Sequence, residues 1–423
     1  MTAQEPTEQG RRPVVVLVDG YTTGNYLPPA FARKGADVVH VQSTAELMTT
    51  MLAPDLSAYL ANLVCDSPEE TARQLAGYRP VAVVAGQEPG VPLTDRLSEL
   101  LGLPTNGTAR SAARRDKYEM IEALRRAGVR CAEQFKSGRP EELAEWAEQR
   151  GQYPVVVKPL TSAAADGVAI CRDAAEVRKA AEAVLASRTV FDEPNLEVLV
   201  QSYLVGEEYV VDTVSCQGRR YTCGVWQYRK RLIGTHNIYD HELVLDHRDP
   251  RVAELIAYMD TALRALGIVF GPTHAEVVIT ADGPALVEVG ARLAGGMNPA
   301  YHDECLGANQ ADLTALAAVR PEEFLERYAG RHFRKVREAW LYTTPTELDG
   351  VVDSLDQDVL AEIEGLESVR GLNVKIKEGG RIRPTVDLYT SSLRIFMAGD
   401  SAAQVERDYL HIQRIKDQVF RLR

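Results

Sequence analysis

The stretch from His274 to Gly296, HAEVVITADGPALVEVGARLAGG, limits what this chain can build more than any other segment. Two runs rich in Val, Ile and Leu flank the turn signal Ala281-Asp282-Gly283-Pro284, a pattern that predicts a β-hairpin. Each run carries one carboxylate, Glu276 in the first and Glu288 near the end of the second, and Arg292 follows four residues later. Side chains alternate faces along a strand, and an even number of residues separates the two acids, so a loop with an odd residue count sets both on one face. A five-residue loop, Thr280 to Pro284, would place them directly opposite each other. Like charges so placed repel, and a half-buried pair costs several kcal/mol unless something neutralises it. On an arbitrary hairpin two such glutamates are solvated. A cation is the alternative, and Mg²⁺ in particular is held by one or two carboxylates together with substrate phosphates.

The rest of the chain frames that choice. At 423 residues it is too long for one core, which suggests two to four domains. Apolar content of 45% and charged content of 26% are ordinary for a globular protein, and the longest apolar runs, such as Val14 to Val18 and Val81 to Ala85, are strand-length and far short of a membrane span. The opening MTAQEPTEQGRR is polar, is expected to be disordered, and has no cationic and apolar leader pattern, so a cytoplasmic location without membrane association is expected. A net charge of -12 argues against nucleic acid as a partner, and the basic cluster Arg110, Arg114, Arg115 and Lys117 reads as a solvated helix face. Six cysteines with no C-x-x-C pair fit reduced thiols better than disulfides or a zinc site.

Residues 13 to 120 alternate strand and helix patterns: PVVVLVDG, DVVHVQS and PVAVVAG are short buried strands at βαβ spacing. The turn DGYTTGNY lacks the third glycine of a dinucleotide fingerprint, which speaks against NAD. A helix RRDKYEMIEALRRAG follows, with Gly128 as its stop. Beyond Arg130 come the strand YPVVVKPL, a small-residue loop TSAAADG, the strand VAIC and a helix Ala174 to Ser187. LEVLVQSYLVGEEYVVDTVSC and RYTCGVWQYRKRLIGTH read as long antiparallel strands, and PRVAELIAYMDTALRALG as the helix before the hairpin. After Arg320 an α+β segment with strands REAWLYTT and LNVKIKE ends in a helical tail, Ala402 to Val419.

Lys158 ends an apolar strand, and the loop after it holds three consecutive alanines, Asp166 and Gly167. A lysine there can reach a phosphate while a small-residue loop lets backbone N-H groups approach its oxygens, and no G-x-x-x-x-G-K-[ST] run offers a Walker-type site instead. Read together, these residues resemble the ATP-grasp carboxylate-amine ligases, in the branch of the L-amino acid ligases, or dipeptide synthetases. The resemblance covers most of the chain as an ordered series of motifs. Lys117 in RDKYEMIEAL matches the first nucleotide-contacting lysine and Lys158 in VVVKP the second. LVQSYLVGEEYVVD is similar to the adenine-binding hinge strand, in which Gln201, Ser202, Tyr203 and Leu204 would face the base and Glu208 would hold the ribose hydroxyls. Glu276 and Glu288 match the metal ligands, and Arg292 matches an arginine that faces the reacting carboxylate. Many superfamily members carry Asn two residues after the second metal-binding Glu; here that position is Gly290, which would leave a second Mg²⁺ to phosphate oxygens and water.

What the resemblance implies is an α/β and α+β multidomain chain with the ATP-grasp fold. It would comprise an N-terminal doubly wound α/β domain (1-116), a small mobile α+β lobe (117-204), a central antiparallel-sheet lobe (205-320) and a C-terminal α+β subdomain (321-423). ATP would lie between two β-rich lobes, with one or two Mg²⁺ ions, replaceable by Mn²⁺, on Glu276 and Glu288. A substrate carboxylate would attack the γ-phosphate to give an acyl phosphate, and an amine would then displace phosphate to form an amide, such as a dipeptide of an antibiotic pathway. Lys158 and Arg292 would offset the charge of the transferring group. His241, Gly295, Gly296 and Asn298 would line the substrate pocket with Arg292, and Arg229, Lys230 or Arg231 is either a carboxylate binder or a solvated turn. His236, His241 and His247 fit no zinc spacing. The loop Thr161 to Gly167, with little to pack against, would close over the phosphates. Partners would be the two small molecules and a second copy of the chain in a homodimer. An ATP-grasp carboxylase or purine-pathway ligase, and a nucleotide-binding regulator without turnover, are the competing readings; the C-terminal segment disfavours the first and the retained acids and lysines the second.

Overall fold

The computed structural model describes residues 12–49, 51–163, 165–233, 236–388 and 390–423, without the side chains of residues 232–237. The polar opening segment up to residue 11, Ala164 in the small-residue loop and the imidazole of His236 therefore lie outside the described residues. Near the N-terminus four parallel strands stand in the order Asn62–Val64, Asp37–Gln42, Val14–Val18, Pro80–Ala85. The valine runs are buried on both faces, as parallel strands require. Val14, Val16 and Val18 pack on Leu75 and Leu97, while Val15 and Leu17 pack on Phe31 and also on Leu293 and Met297. The loop after Arg292 is thus seated on this first layer.

The helix Lys117–Arg126 begins where Asp116 accepts hydrogen bonds from the backbone N-H groups of Tyr118 and Glu119. The basic cluster before it is not a solvated face. Arg114 is fully buried, 2.8 Å from Asp95 and hydrogen-bonded to the carbonyl of Leu266, because a short 3₁₀ turn at Ala112–Arg114 precedes the cap and turns that side chain inward. Next, four antiparallel strands stand in the order Gln134–Ser137, Val198–Ser202, Val155–Pro159, Ala169–Cys171, covered by the helices Pro140–Arg150 and Ala174–Leu185.

The expected single strand through LVQSYLVGEEYVVD is two. Val198–Ser202 belongs to this small sheet and Gly206–Cys216 to the large one, so Tyr203, Leu204 and Val205 cross between lobes. The large sheet has eight strands, in the order Gly283–Gly290, Gly271–Thr280, Gly206–Cys216, Arg219–Ile233, His236–Val244, Glu338–Thr343, Leu393–Gly399, Val369–Val374. It runs without a break through residue 320, where separate domains were expected. Val211, Val225, Ala275 and Val277 bury one face against the helices Lys117–Arg126 and Pro250–Ala265, through Leu124, Leu255 and Met259. Further along, Trp340, Tyr342 and Ile395 bury the same side against the helix Ala402–Ile415. The other face is open to the site.

Candidate active site

Thr280 pairs with Gly283, so the hairpin turns on Ala281 and Asp282 alone, not on five residues. Gly283 has φ +107°, a backbone conformation that side chains with a Cβ rarely adopt. A regular ladder from this turn would set Val287 opposite Glu276. A bulge at Glu276/Val277 instead gives the second strand one extra residue, and Glu288 comes to face Glu276. The odd residue that parity demands sits in the strand, not in the loop.

Both acids are at a polar centre with few escapes to water. Burial, then the facing charges of Glu288 and Glu208, push the Glu276 carboxyl up to about 7. Burial also acts on Glu288, but Lys117 and Lys158, and beyond them Arg292, outweigh it and hold that carboxyl below its ordinary value. Lys117 Nζ lies 2.9 Å from Glu288 Oε2 and donates to the Ser162 carbonyl. Lys158 is 5% exposed, and burial pushes its ammonium down to about 8 against the pull of Glu288 and Glu276. Among the described residues it makes no hydrogen bond, so its charge is available to an incoming anion. No group of three or more His, Cys, Asp or Glu among the described residues could hold a metal by itself. Two facing carboxylates fit a hard divalent ion whose other ligands are phosphate oxygens, and such an ion would neutralise the repulsion between them.

Among the residues expected at the nucleotide, Gln201 turns its amide inward, donating to Gln134 Oε1 at 2.9 Å, and Gln134 in turn donates to Glu122. Only its backbone can face a base. Ser202 is zipped to Glu133 through backbone and hydroxyl, and Tyr203 and Leu204 form the crossing between sheets. Glu208 accepts from Lys230 Nζ at 2.5 Å and from Tyr239 Oη at 3.1 Å, partners that a ribose would have to share. Lys230 is therefore an ion-pair partner in the site rather than a solvated turn residue. The loop Thr161 to Gly167 is also better held than its composition suggests. Arg115 donates to the Thr161 carbonyl, Ser162 Oγ to Asp166 at 2.6 Å, and Lys117 to the Ser162 carbonyl.

Arg292 Nε donates to Glu88 Oε2 at 3.0 Å, an acid from the first layer that no sequence motif singled out. Gly290 makes room for it: a Cβ there would fall 2.9 Å from Glu88 Oε2 and 3.1 Å from Arg292 Cζ. Beyond, Gly295 opens to empty space, and a Cβ on Gly296 would meet Leu341 Cδ2 at 2.6 Å. Neither has a positive φ, so their role is space and close approach, not a turn. Asn298 spends its side chain as the N-cap of the helix Pro299–Leu306, accepting from the Tyr301 N-H at 3.3 Å.

His241 does not join this set. A second bulge, at Arg229/Lys230, sets the facing of its strand, and the register through Trp226, Val210 and Glu276 puts Val244 and Glu242 on the site face and His241 on the far one. There His241 stacks on Trp340 with ring centroids 4.6 Å apart and its Nδ1 lies 3.0 Å from Asp240, which also accepts from Tyr409. Arg231 serves the same buried cluster, 3.2 Å from Asp240. His247 pairs with the Lys335 N-H, away from any metal-like group. The site-facing histidine is His274, whose Nδ1 is 2.8 Å from Asp212 Oδ1; burial opposes its charge, but Asp212 raises it above the ordinary value. All six cysteines are free thiols.

A small lobe hinged over a large sheet, lysines from both sides and a carboxylate pair on an edge hairpin define an ATP-grasp enzyme. The family model described as ATP-grasp domain matches residues 151–300. Dapdiamide A synthase of Enterobacter agglomerans is 35% identical over 416 residues, covering 97% of this chain and 97% of that protein. The chain belongs to that family: it is an ATP-dependent carboxylate-amine ligase that forms an amide bond. An L-amino acid ligase structure from Bacillus licheniformis shares the fold, with a TM-score of 0.75 at 20% identity over 98% of this chain and 99% of that one. So does the biotin carboxylase domain of a Hydrogenobacter thermophilus 2-oxoglutarate carboxylase, solved with MgADP, with a TM-score of 0.63 at 15% identity over 97% and 90%. ATP and a divalent cation are thus the reagents of this fold. No helix among the described residues is long and apolar enough to cross a membrane.

Proposed function

We propose that the chain joins an amino acid or related acid to the amine of a second amino acid through an acyl phosphate, releasing ADP and phosphate, in the synthesis of a small peptide natural product. The observation that carries this reading is Glu276 facing Glu288, with Lys158 from the small sheet and Lys117 from the helix on the large one converging on them and Arg292 on the outer side. Glu276 and Glu288 would hold Mg²⁺, or Mn²⁺ in its place, and the ion would supply positive charge to offset that of the phosphates. Lys117 exchanges its contact with Glu288 for phosphate oxygen, and Lys158 meets the same charge. The backbone from Gln201 to Leu204 lines the base, and Glu208 turns from Lys230 to the ribose. Arg292, its fork steadied by Glu88, receives the substrate carboxylate, and its fixed charge favours the in-line attack on the γ-phosphorus. Gly295 and Gly296 give the second substrate room, with Asn298 shaping the end of that loop. A cytoplasmic homodimer completes the proposal.

A screen of amino acid pairs for ADP and phosphate release, with product mass measured, tests it. Hydroxamate formed in the presence of hydroxylamine reports the acyl phosphate directly. Glu276→Ala and Glu288→Ala are each expected to abolish turnover with the fold intact; ADP release at near-normal rate from both at millimolar Mg²⁺ would remove the metal pair from the mechanism.

A further inference from the structure

Glu242 is a site-facing acid that nothing in the sequence pattern marked. It stands in register with Tyr228 on one side and Leu341 on the other. Tyr228 Oη reaches 3.4 Å from Glu276 Oε1, and Leu341 is the residue that Gly296 abuts. Cross-strand neighbours lie about 5 Å apart, so Glu242 occupies the gap between the carboxylate pair and the glycine loop, where a nucleophile must wait. The groups around it come from every adjoining element: Tyr228 beside it, Asp212 and His274 across the sheet, Arg394 from the strand Leu393–Gly399, and Tyr301 from the helix above. Arg394 donates to the Gly295 carbonyl instead of to Glu242. Among the described residues Glu242 has neither a hydrogen bond nor an ion pair, although cations stand close enough to act on it. The other acids of this sheet face have partners: Glu208 holds Lys230, Glu276 faces Tyr228, Glu288 holds Lys117 and Asp212 holds His274.

We propose that Glu242 receives the ammonium group of the amine substrate and takes up its proton. This deepens the reading of the site as an acyl-phosphate ligase and rests on it. The amine arrives as R-NH₃⁺ and passes one proton to the Glu242 carboxylate. The freed lone pair forms the C–N bond at the acyl carbon, and the C–O bond to phosphate breaks with its electron pair on the phosphate oxygen. The second nitrogen proton leaves with that phosphate as HPO₄²⁻, and the third stays on the amide. Burial pushes the Glu242 carboxyl up to about 7, against His274 and Arg394. That rise brings the carboxyl nearer to the ammonium of an amino acid than an ordinary glutamate stands, so the uphill transfer is smaller than it would be to an unperturbed acid.

The test compares two nucleophiles on one enzyme. Hydroxylamine is neutral at the assay pH and needs no base, whereas each of the twenty proteinogenic L-amino acids must first lose a proton. With any carboxylate that drives ADP release, Glu242→Gln is expected to lower the ratio of amide to hydroxamate by about 10² to 10⁴. The deficit is expected to shrink as pH rises and neutral amine becomes available from solution. An unchanged ratio overturns the proposal, and so does an equal fall in both products, which would place Glu242 in the carboxylate step. A pH-independent deficit also overturns it, because it would reflect packing alone. Absence of hydroxamate from the unsubstituted enzyme would instead overturn the acyl-phosphate reading beneath it.

Discussion

At Gly290 the missing side chain is what lets an acid from the first layer reach Arg292. The asparagine common at this position in the superfamily would intrude on both Glu88 and Arg292, whose atoms stand 2.9 and 3.1 Å from where its Cβ would be. Gly290→Asn is therefore expected to lower ligation by about 10²-fold through misplacement of Arg292, and added Mg²⁺ should not restore it. Glu88→Ala in that background should recover part of the loss, a coupling that a double-mutant cycle measures. Ligation by Gly290→Asn at the unsubstituted rate would show that the pair does not position the arginine. Glu242 carries a prediction of its own about stability. Its folded carboxyl titrates at about 7 against an ordinary 4.5, so between those values the folded chain holds a proton that the unfolded chain has released. The associated stability is present at low pH and lost as pH rises through 7. Glu242→Gln cannot lose it, so the variant's thermal midpoint should match the unsubstituted protein near pH 4 and exceed it at pH 8. A difference that stays constant with pH would contradict the assignment.

The elements show why some features could be read from the chain and others could not. The hairpin, the strand ends at Lys158 and the valine-rich parallel strands follow from period and turn chemistry, which act locally. Whether Glu276 meets Glu288 depends on a bulge, and no residue type announces one here: Val287 is an ordinary strand residue. The same blindness misplaced His241, since a bulge at Asp240, in its own strand, decides which of two adjacent residues, His241 or Glu242, looks into the site. The crossing at Tyr203 to Val205 was hidden because three apolar or aromatic residues with no turn chemistry continue the strand pattern. Being the span between the two sheets, it is the expected pivot of the small lobe. Mg-ATP is expected to draw Lys117 off the Ser162 carbonyl and to lower protease cleavage within residues 161–167, and a fragment pattern identical with and without nucleotide would argue against lobe closure.

For the whole molecule, the eight-stranded sheet matters more than any domain boundary. Three of its strands, Glu338–Thr343, Val369–Val374 and Leu393–Gly399, come from beyond residue 320. Ending the chain at Arg320 would strip the partner from the strand His236–Val244, bare an unpaired edge, and uncover Leu243 and Tyr301, which pack against the removed segment. Such a fragment is expected to be insoluble, or to bind ATP far more weakly than the full chain. A soluble fragment with unaltered nucleotide affinity would show that the last hundred or so residues are an independent unit. The continuity of the sheet also bears on how substrate range can be inherited. Gly295 and Gly296 are one wall of the proposed acceptor pocket, while Leu341 and Arg394, which touch that wall, are separated from it along the chain by the supposed boundary. A chimera spliced from two relatives at residue 320 would take one wall from each parent, so recombination that preserves a specificity must carry both stretches together.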